Sequence, residues 1–251
     1  MNLIVSPTAL FFALILVLIA LYINIHEKIG LQKDIIVGVI RAVIQLTVVG
    51  YILTYIIKVN QPILTITMVL VIIFNAAWNA RKRANGINQA FFISLVAIFV
   101  ATSLTIVLLV ATRTIKFIPS QIVPVSGMIA SNVMVAIGLC YRSLNENFKA
   151  QRQGVIERLA LGATLKQAAI YIVQDAIKTG MAPTIDSAKT VGIVSLPGMM
   201  AGLIFAGVDP TKAIMYQILV TFMLLSATSI GSVISCYMAY PKFFNQDMQL
   251  K

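Results

Sequence analysis

Long apolar runs dominate this sequence and limit the folds that it can adopt. Each run approaches the roughly 20 residues that an α-helix needs to cross the hydrocarbon core of a bilayer. Only helices or a closed barrel satisfy their backbone in lipid, and these runs lack the polar–apolar alternation of barrel strands. The sequence therefore predicts an all-α membrane protein with about seven transmembrane helices. The predicted spans are 4–23, 35–57, 63–80, 90–111, 121–141, 191–207 and 213–237.

The composition also indicates a membrane protein. Hydrophobic residues make up 59% of the 251-residue chain and charged residues only 11%, whereas soluble domains are about 25% charged. The net charge of +11 is scattered between apolar runs, without the basic patch and interleaved aromatics that bind nucleic acid, so no nucleic-acid partner is expected. No internal repeat is visible, and we expect a single domain over residues 1–251.

Lysine and arginine predict the orientation in the membrane. If the N-terminus is outside, four of the 19 basic residues fall outside (Lys58, Arg113, Lys116 and Lys212), which leaves 15 on the cytoplasmic side. Cytoplasmic loops carry such an excess, so the N-terminus is expected outside and the C-terminus inside. The N-terminal residues lack the basic region and cleavage site of a signal peptide, and the first span is expected to be retained.

A polar segment, residues 142–189, interrupts the apolar runs and is predicted to lie in the cytoplasm. Apolar residues between Leu165 and Ile177 recur at the spacing of one helical face. Thr164 and Gln167 have the spacing of a capping box at the start of a helix. Gly162 is placed to end a preceding helix in the left-handed conformation. The pattern predicts a helix, a glycine turn and an amphipathic helix.

The amphipathic helix has two possible environments. It lies on the lipid interface, or it docks into a groove on a soluble partner. The periodicity by itself favours neither environment.

A family resemblance bears on this choice. Residues 157–169, ERLALGATLKQAA, resemble the cytoplasmic coupling segment of ABC-transporter permeases, although the spacing from Glu157 to Gly162 is one residue shorter than in importers. Further strings extend the resemblance over essentially the whole chain, to the FetB/YbbM (UPF0014) family of ABC permeases, which includes bacterial iron exporters and plant relatives linked to aluminium tolerance. These strings are AVIQLTVVGYIL (42–53), ASNVMVAIGL (130–139), RQGVIERLALGAT (152–164), APTIDSAKTVGIVSLPGMMAGLI (182–204) and GVDP (207–210).

The resemblance implies a multi-pass permease of a bacterial inner membrane that exports a metal ion, with iron the named case. It implies a separate, FetA-like cytoplasmic ATPase, which binds ATP and Mg. A permease of this size needs a second copy to enclose a path, so a homodimer is expected. The residues implied to couple to the ATPase are Glu157, Arg158, Ala160, Gly162, Ala163, Thr164, Lys166 and Gln167.

Missing motifs agree with a transport subunit that has no cofactor of its own. The sequence has no G-x-x-x-x-G-K-[ST] phosphate loop, no G-x-S-x-G and no H-E-x-x-H, and its one histidine, His26, is expected to be solvated. No carboxylate falls within a predicted span, which argues against a proton-coupled carrier. The alternative is a stand-alone secondary transporter or channel for a small ion or solute.

Polar residues inside spans suggest where substrate passes, because lipid exposure of such groups is costly. Hydrogen bonding between helices is the other explanation for them. Pro197 and Gly198 interrupt the sixth span, as in the broken helices of transporters. Nearby methionines offer thioether ligands, which suit Cu(I) better than iron, so the metal stays open. The predicted path residues are Gln45, Asn75, Asn79, Ser131, Asn132, Ser195, Pro197, Gly198, Met199 and Met200.

The two cysteines, Cys140 and Cys236, end apolar runs near the predicted cytoplasmic face. Thiols stay reduced in that compartment. We expect both to be small buried residues.

Overall fold

The structure, a computed structural model, describes residues 7–245 and 249–250. Six helices in this part of the chain are long and apolar enough to cross a membrane. Apart from two isolated bridges, the described residues contain no β-structure. The prediction of an all-α, multi-pass membrane protein is confirmed. The helices are α1 (Pro7–His26), α2 (Gln32–Val59), α3 (Pro62–Arg81), α4 (Ala90–Ala111), α5 (Pro119–Ala150), α6 (Arg152–Ala160), α7 (Leu165–Thr190), α8 (Gly198–Phe205) and α9 (Pro210–Ala239), followed by a 3-10 turn (Tyr240–Phe243).

The chain forms two compact units, and the first contains α1, α2 and residues 205–207. The buried side chain of Asn24 accepts a hydrogen bond from the Leu31 backbone N–H at 3.0 Å and so fixes the turn between the two helices. Thr47 and Thr54 in α2 donate to backbone carbonyls one turn earlier in the helix. Lipid offers these hydroxyls no hydrogen-bond partner, so the bonds within the helix satisfy them.

The second unit contains the remaining helices, and α5 contacts α3, α4, α7 and α9. Small side chains such as Ala77, Ala97, Ala130 and Ala227 are fully buried where these helices meet. Helices in lipid associate through close packing, because lipid tails are as apolar as leucine and offer no hydrophobic gain. Small residues at the contacts permit that close packing.

Several polar contacts between elements lie at one end of the second unit. Tyr141 in α5 hydrogen-bonds to Ser94 in α4 at 2.9 Å, and Asn145 donates to the carbonyl of Ala84 in the α3–α4 loop at 2.9 Å. Phe148 stacks on Phe243 with ring centroids 4.3 Å apart. The basic residues 81–83, which predict the cytoplasmic side, lie at this same end.

Helices α5 and α9 run parallel to each other. A side chain at Gly231 in α9 would meet Val133 in α5, and further along the chain Phe148 of α5 stacks on Phe243 in the 3-10 turn after α9. Helix α9 therefore begins at the end of the unit opposite the basic residues. At that start, the hydroxyl and backbone N–H of Thr211 donate to Asp209 and hold the pKa of its carboxyl below the usual value.

Helix α7 extends from the basic end deep between α5 and α9. A Cβ at Gly180 would meet Cys140 Sγ, lie 2.9 Å from the Ala136 carbonyl oxygen and lie 3.2 Å from Ser232 Oγ. These neighbours belong to the predicted spans 121–141 and 213–237. The second half of the segment 142–189 therefore differs from the predicted loop, because the small residue at 180 lets α7 pack beside two predicted spans.

The predicted sixth span, 191–207, is also corrected. Its only helix, α8, has eight residues, about 12 Å at the helical rise, which is too short to cross the roughly 30 Å of hydrocarbon. Gly192 adopts a φ of +86°, and Pro197 has no N–H to donate, so a helix cannot continue through 191–197. From the end of α7 the chain passes through the bend at 191–197 and then through α8 to the start of α9.

We predict that Gly180→Ala destabilises the protein, because the added methyl group overlaps Cys140 Sγ and the Ala136 carbonyl. Overpacking of this kind costs about 1–3 kcal/mol. The measurement is thermal unfolding in detergent, with Gly127→Ala in α5 as the control, since a Cβ there meets nothing within 4 Å. An equal melting temperature for the two variants contradicts the close approach at Gly180.

Candidate coupling turn and transport path

The segment that resembles a coupling helix forms a tight turn between α6 and α7. Helix α6 ends at Ala160, and Gly162 follows with a φ of +87°. The N–H of Gly162 donates to the Leu159 carbonyl at 3.0 Å, and that of Ala163 donates to the Arg158 carbonyl at 3.0 Å. These bonds satisfy the last carbonyls of α6. The predicted glycine turn is confirmed, and we call residues 157–167 the coupling turn.

A capping box starts α7, as predicted. The Gln167 backbone N–H donates to Thr164 Oγ1 at 3.3 Å, and the Thr164 backbone N–H donates to Gln167 Oε1 at 2.9 Å. The two residues therefore satisfy one another's exposed donors. This reciprocal pair fixes the residue at which α7 begins.

Arg158 ties α6 to the start of α7. Its Nη1 donates to the Ala168 carbonyl at 3.1 Å, and its guanidinium lies 5.2 Å from the centre of the Tyr171 ring. Val155 and Ala168 are both fully buried in the core of the second unit. The two helices and the turn between them therefore form one braced corner.

The outer surface of the coupling turn is exposed. Leu161 is 88% exposed at its tip, and Ala160 and Gly162 beside it are exposed as well. Glu157 accepts a hydrogen bond from Gln153 at 3.0 Å within α6, and Lys166 Nζ lies 6.0 Å from the centre of the Tyr237 ring. The turn therefore presents one large apolar side chain, Leu161, at its exposed tip.

The predicted path residues are distributed over several helices. Gln45 is exposed on α2, in the first unit. On α3, Asn79 Nδ2 donates to Asn75 Oδ1 at 2.8 Å. The Arg81 guanidinium lies 5.2 Å from the ring centre of the neighbouring Trp78. The two asparagines therefore satisfy part of each other's polarity on the exposed side of α3.

Asn132 lines a small cavity between α5, α7 and α9, with a volume of about 90 Å³. Its amide nitrogen donates to the Met128 carbonyl at 2.9 Å, and the Ser131 hydroxyl donates to the same carbonyl at 3.1 Å. The polar lining comes from α5 and α7. The cavity is bounded by Asn132, Val135, Ala136, Gly180, Pro183, Thr184, Ser187 and Leu224.

The predicted residues around Pro197 and Gly198 divide between the surface and the core. Ser195 is exposed, and its carbonyl accepts the Gly192 N–H at 2.9 Å in the bend before α8. Met200 is buried and Met199 is half-buried against the core. Among the described residues, no group of three or more His, Cys, Asp and Glu side chains is placed to hold a metal ion.

Sequence reasoning missed the contribution of α7 to this region. Thr184 and Ser187 face the cavity, and Asp186 beside them pairs with Lys189 at 3.2 Å. One signal was present, because Gly180, Thr184 and Ser187 recur at helical spacing and continue the buried face of the amphipathic helix. The charges between them made the segment resemble a cytoplasmic loop.

The two cysteines lie at the crossing of α5, α7 and α9, where both are buried and free, as expected. Cys140 lies against Gly180. Ser232 is fully buried at the same crossing. The crossing therefore separates the cavity at Asn132 from the basic end of the unit.

Comparison with known proteins gives a consistent result. Residues 7–244 match the model of the uncharacterised protein family UPF0014. The chain is 52% identical to the probable iron export permease protein FetB of Escherichia coli (strain K12), covering 98% of this chain and 95% of that protein. It is 35% identical to the UPF0014 membrane protein YjkA of Bacillus subtilis (strain 168), covering 95% of each. It is 34% identical to the protein ALUMINUM SENSITIVE 3 of Arabidopsis thaliana, covering 98% of this chain and 89% of that protein. No solved structure matches.

We predict that Thr164→Ala loosens the first turn of α7, because the change leaves the Gln167 N–H without its cap. Loss of such a cap costs about 1 kcal/mol, which corresponds to roughly fivefold faster hydrogen exchange of the Gln167 and Ala168 amides. Thr179→Ala, within the same helix, is the control, since its hydroxyl only donates to the Asp175 carbonyl. Unchanged exchange in Thr164→Ala contradicts the capping role.

Proposed function

Because this chain belongs to the UPF0014 family of membrane proteins, we propose that it is the permease subunit of an ABC transporter that exports iron or a similar metal ion. A separate cytoplasmic ATPase binds ATP and Mg and hydrolyses the nucleotide. The name of the FetB relative, a probable iron export permease, supports the metal and the direction of transport.

The observation that carries this proposal is the exposed, braced coupling turn. Leu161 provides an apolar anchor of the kind that fills a pocket in a partner. Arg158 and the Thr164–Gln167 cap hold that anchor in one orientation. A rigid docking element loses little conformational entropy on binding, and a partner that moves it also moves α7.

The substrate path requires a second copy of the chain. Thr184 and Ser187 are only partly covered or exposed within one copy, and polar groups at membrane depth avoid lipid. A homodimer places these surfaces against each other around a shared path. Two permeases and two ATPases then form the working transporter.

The alternative is a secondary transporter that works alone. The Asp186–Lys189 pair favours it, because this pair lies in the part of α7 that packs beside two spans. Carriers driven by ion gradients use charges at such positions. The dependence of transport on ATP separates the two functions.

We predict that Leu161→Glu abolishes the stimulation of the ATPase subunit by the permease. A charge at the tip opposes burial in a partner pocket, and loss of an anchor weakens binding by about tenfold or more. The measurement is ATP hydrolysis by the reconstituted complex, together with co-purification of the two subunits. Gly162→Pro is expected to act in the same direction, because proline cannot adopt a positive φ.

The control for these variants is Gln151→Ala, an exposed position at the other end of α6. It should leave ATP hydrolysis and membrane insertion unchanged. Full stimulation by Leu161→Glu contradicts docking at the coupling turn. Transport of metal by the permease alone, without the ATPase, contradicts the ABC assignment.

A further inference from the structure

The neighbours of Ser187 on two helices indicate the depth of the adjacent Asp186 relative to the predicted spans. The adjacent Ser187 lines a cavity with Asn132 of α5 and Leu224 of α9. Asn132 is nine residues inside the cytoplasmic end of the predicted span 121–141, which corresponds to a depth of about 14 Å. Leu224 lies near the centre of the predicted span 213–237. The hydrocarbon is about 30 Å thick, so both neighbours are close to its midplane.

The Asp186 side chain is not shielded from its surroundings at this depth. Its side chain is 68% exposed and that of its partner Lys189 is 69% exposed, with Lys189 Nζ 3.2 Å from Asp186 Oδ1. Charged groups at the bilayer centre face a water-filled cavity or the interior of a bundle, because lipid solvates them poorly. This surface of α7 therefore faces the transport path.

Asp186 itself does not line this cavity, but its neighbours on α7 do. Thr184 and Ser187 contribute hydroxyls to the cavity. The amide nitrogen of Asn132 donates a hydrogen bond to the Met128 carbonyl. The amide oxygen of Asn132 therefore points away from that carbonyl. Pro183 lies inside α7 and has no N–H for the carbonyl of Thr179, four residues earlier, so that carbonyl lacks its usual helical donor.

We propose that Asp186 is the cation-binding residue of the transport path and that Lys189 occupies its carboxylate when no cation is bound. This inference rests on the proposed transport function and deepens it. A carboxylate suits a hard or borderline divalent cation rather than Cu(I). The substrate is therefore a partly hydrated divalent ion such as Fe(II) or Mn(II).

Lys189 gives the site an internal counter-ion. When the cation binds, it replaces the ammonium group at the carboxylate, and when the cation leaves, the ammonium group returns. The carboxylate is then never left unpaired at the membrane centre, where an unpaired charge is most costly.

The same helix connects this pair to the coupling turn. Asp186 lies 22 residues after Thr164 in one helix, about 33 Å along its axis. Pro183 provides a bending point between the tightly packed Gly180 and Asp186. Movement of the coupling turn therefore changes the distance between Asp186 on α7 and Asn132 on α5.

The test measures Mn(II) binding to the purified permease by the loss of the free-ion signal in electron paramagnetic resonance. Asp186→Asn keeps the shape but removes the charge, and we expect binding to weaken by about tenfold or more. Asp186→Glu restores a carboxylate and should retain binding. Lys189→Gln removes the competing ammonium group and should tighten binding.

Matched controls lie nearer the cytoplasmic end of α7. Asp175→Asn and Lys178→Gln change the same charges outside the proposed path and should bind Mn(II) as the unmodified protein does. Equal binding by Asp186→Asn and the unmodified protein overturns the site. Unchanged or weaker binding by Lys189→Gln overturns the counter-ion role.

A second measurement separates this inference from the proposed function. In the complex with the ATPase, Asp186→Asn should lose the stimulation of ATP hydrolysis by Fe(II) under anoxic conditions. If Fe(II) stimulates the unmodified complex and Asp186→Asn equally, the site is wrong and the transporter assignment stands. If the permease binds Mn(II) through Asp186 but no ATPase associates with it, the site stands and the ABC assignment falls.

Discussion

The close approach of α7 to α5 and α9 at Gly180 determines how the second unit is built. The absence of a side chain lets the α7 backbone reach the Ala136 carbonyl and Cys140. Helices in lipid gain little from burying apolar area, so close packing of small residues supplies most of their association. Because of this crossing, a helix that starts at the basic end continues to the depth of the cavity at Asn132.

In the proposed transport cycle, α7 connects the coupling turn to the pair of Asp186 and Lys189. Its first residues are fixed by the Thr164–Gln167 cap and the Arg158 bonds, and its last turns carry Asp186 and Lys189. A force applied at the coupling turn is transmitted along a hydrogen-bonded helix rather than through a flexible loop. The proline near its end concentrates bending close to the cavity. In this proposal, docking of the ATPase and binding of the cation act on the two ends of one element.

Local features were predictable because they depend on neighbouring residues. The capping box requires Thr164 and Gln167 three positions apart, and the turn requires a residue that tolerates positive φ, which Gly162 supplies. Burial of Cys140 and Cys236 also followed from their apolar surroundings. The sixth span was not predictable to the same degree. Hydropathy summed over 191–207 resembles a span, but the backbone at Gly192 and Pro197 stops the helix and leaves α8 with eight residues.

The sequence by itself determined the all-α membrane fold and the helix–turn–helix of the coupling segment, because apolar length and local hydrogen bonding decide both. The tertiary structure alone decided how far the second half of α7 extends between α5 and α9. Lys178, Asp186 and Lys189 made the second half of α7 resemble a loop in water, and only its contacts with Ala136, Asn132 and Leu224 place it beside two spans. Depth depends on packing between helices distant in sequence, and composition along one segment does not encode that packing.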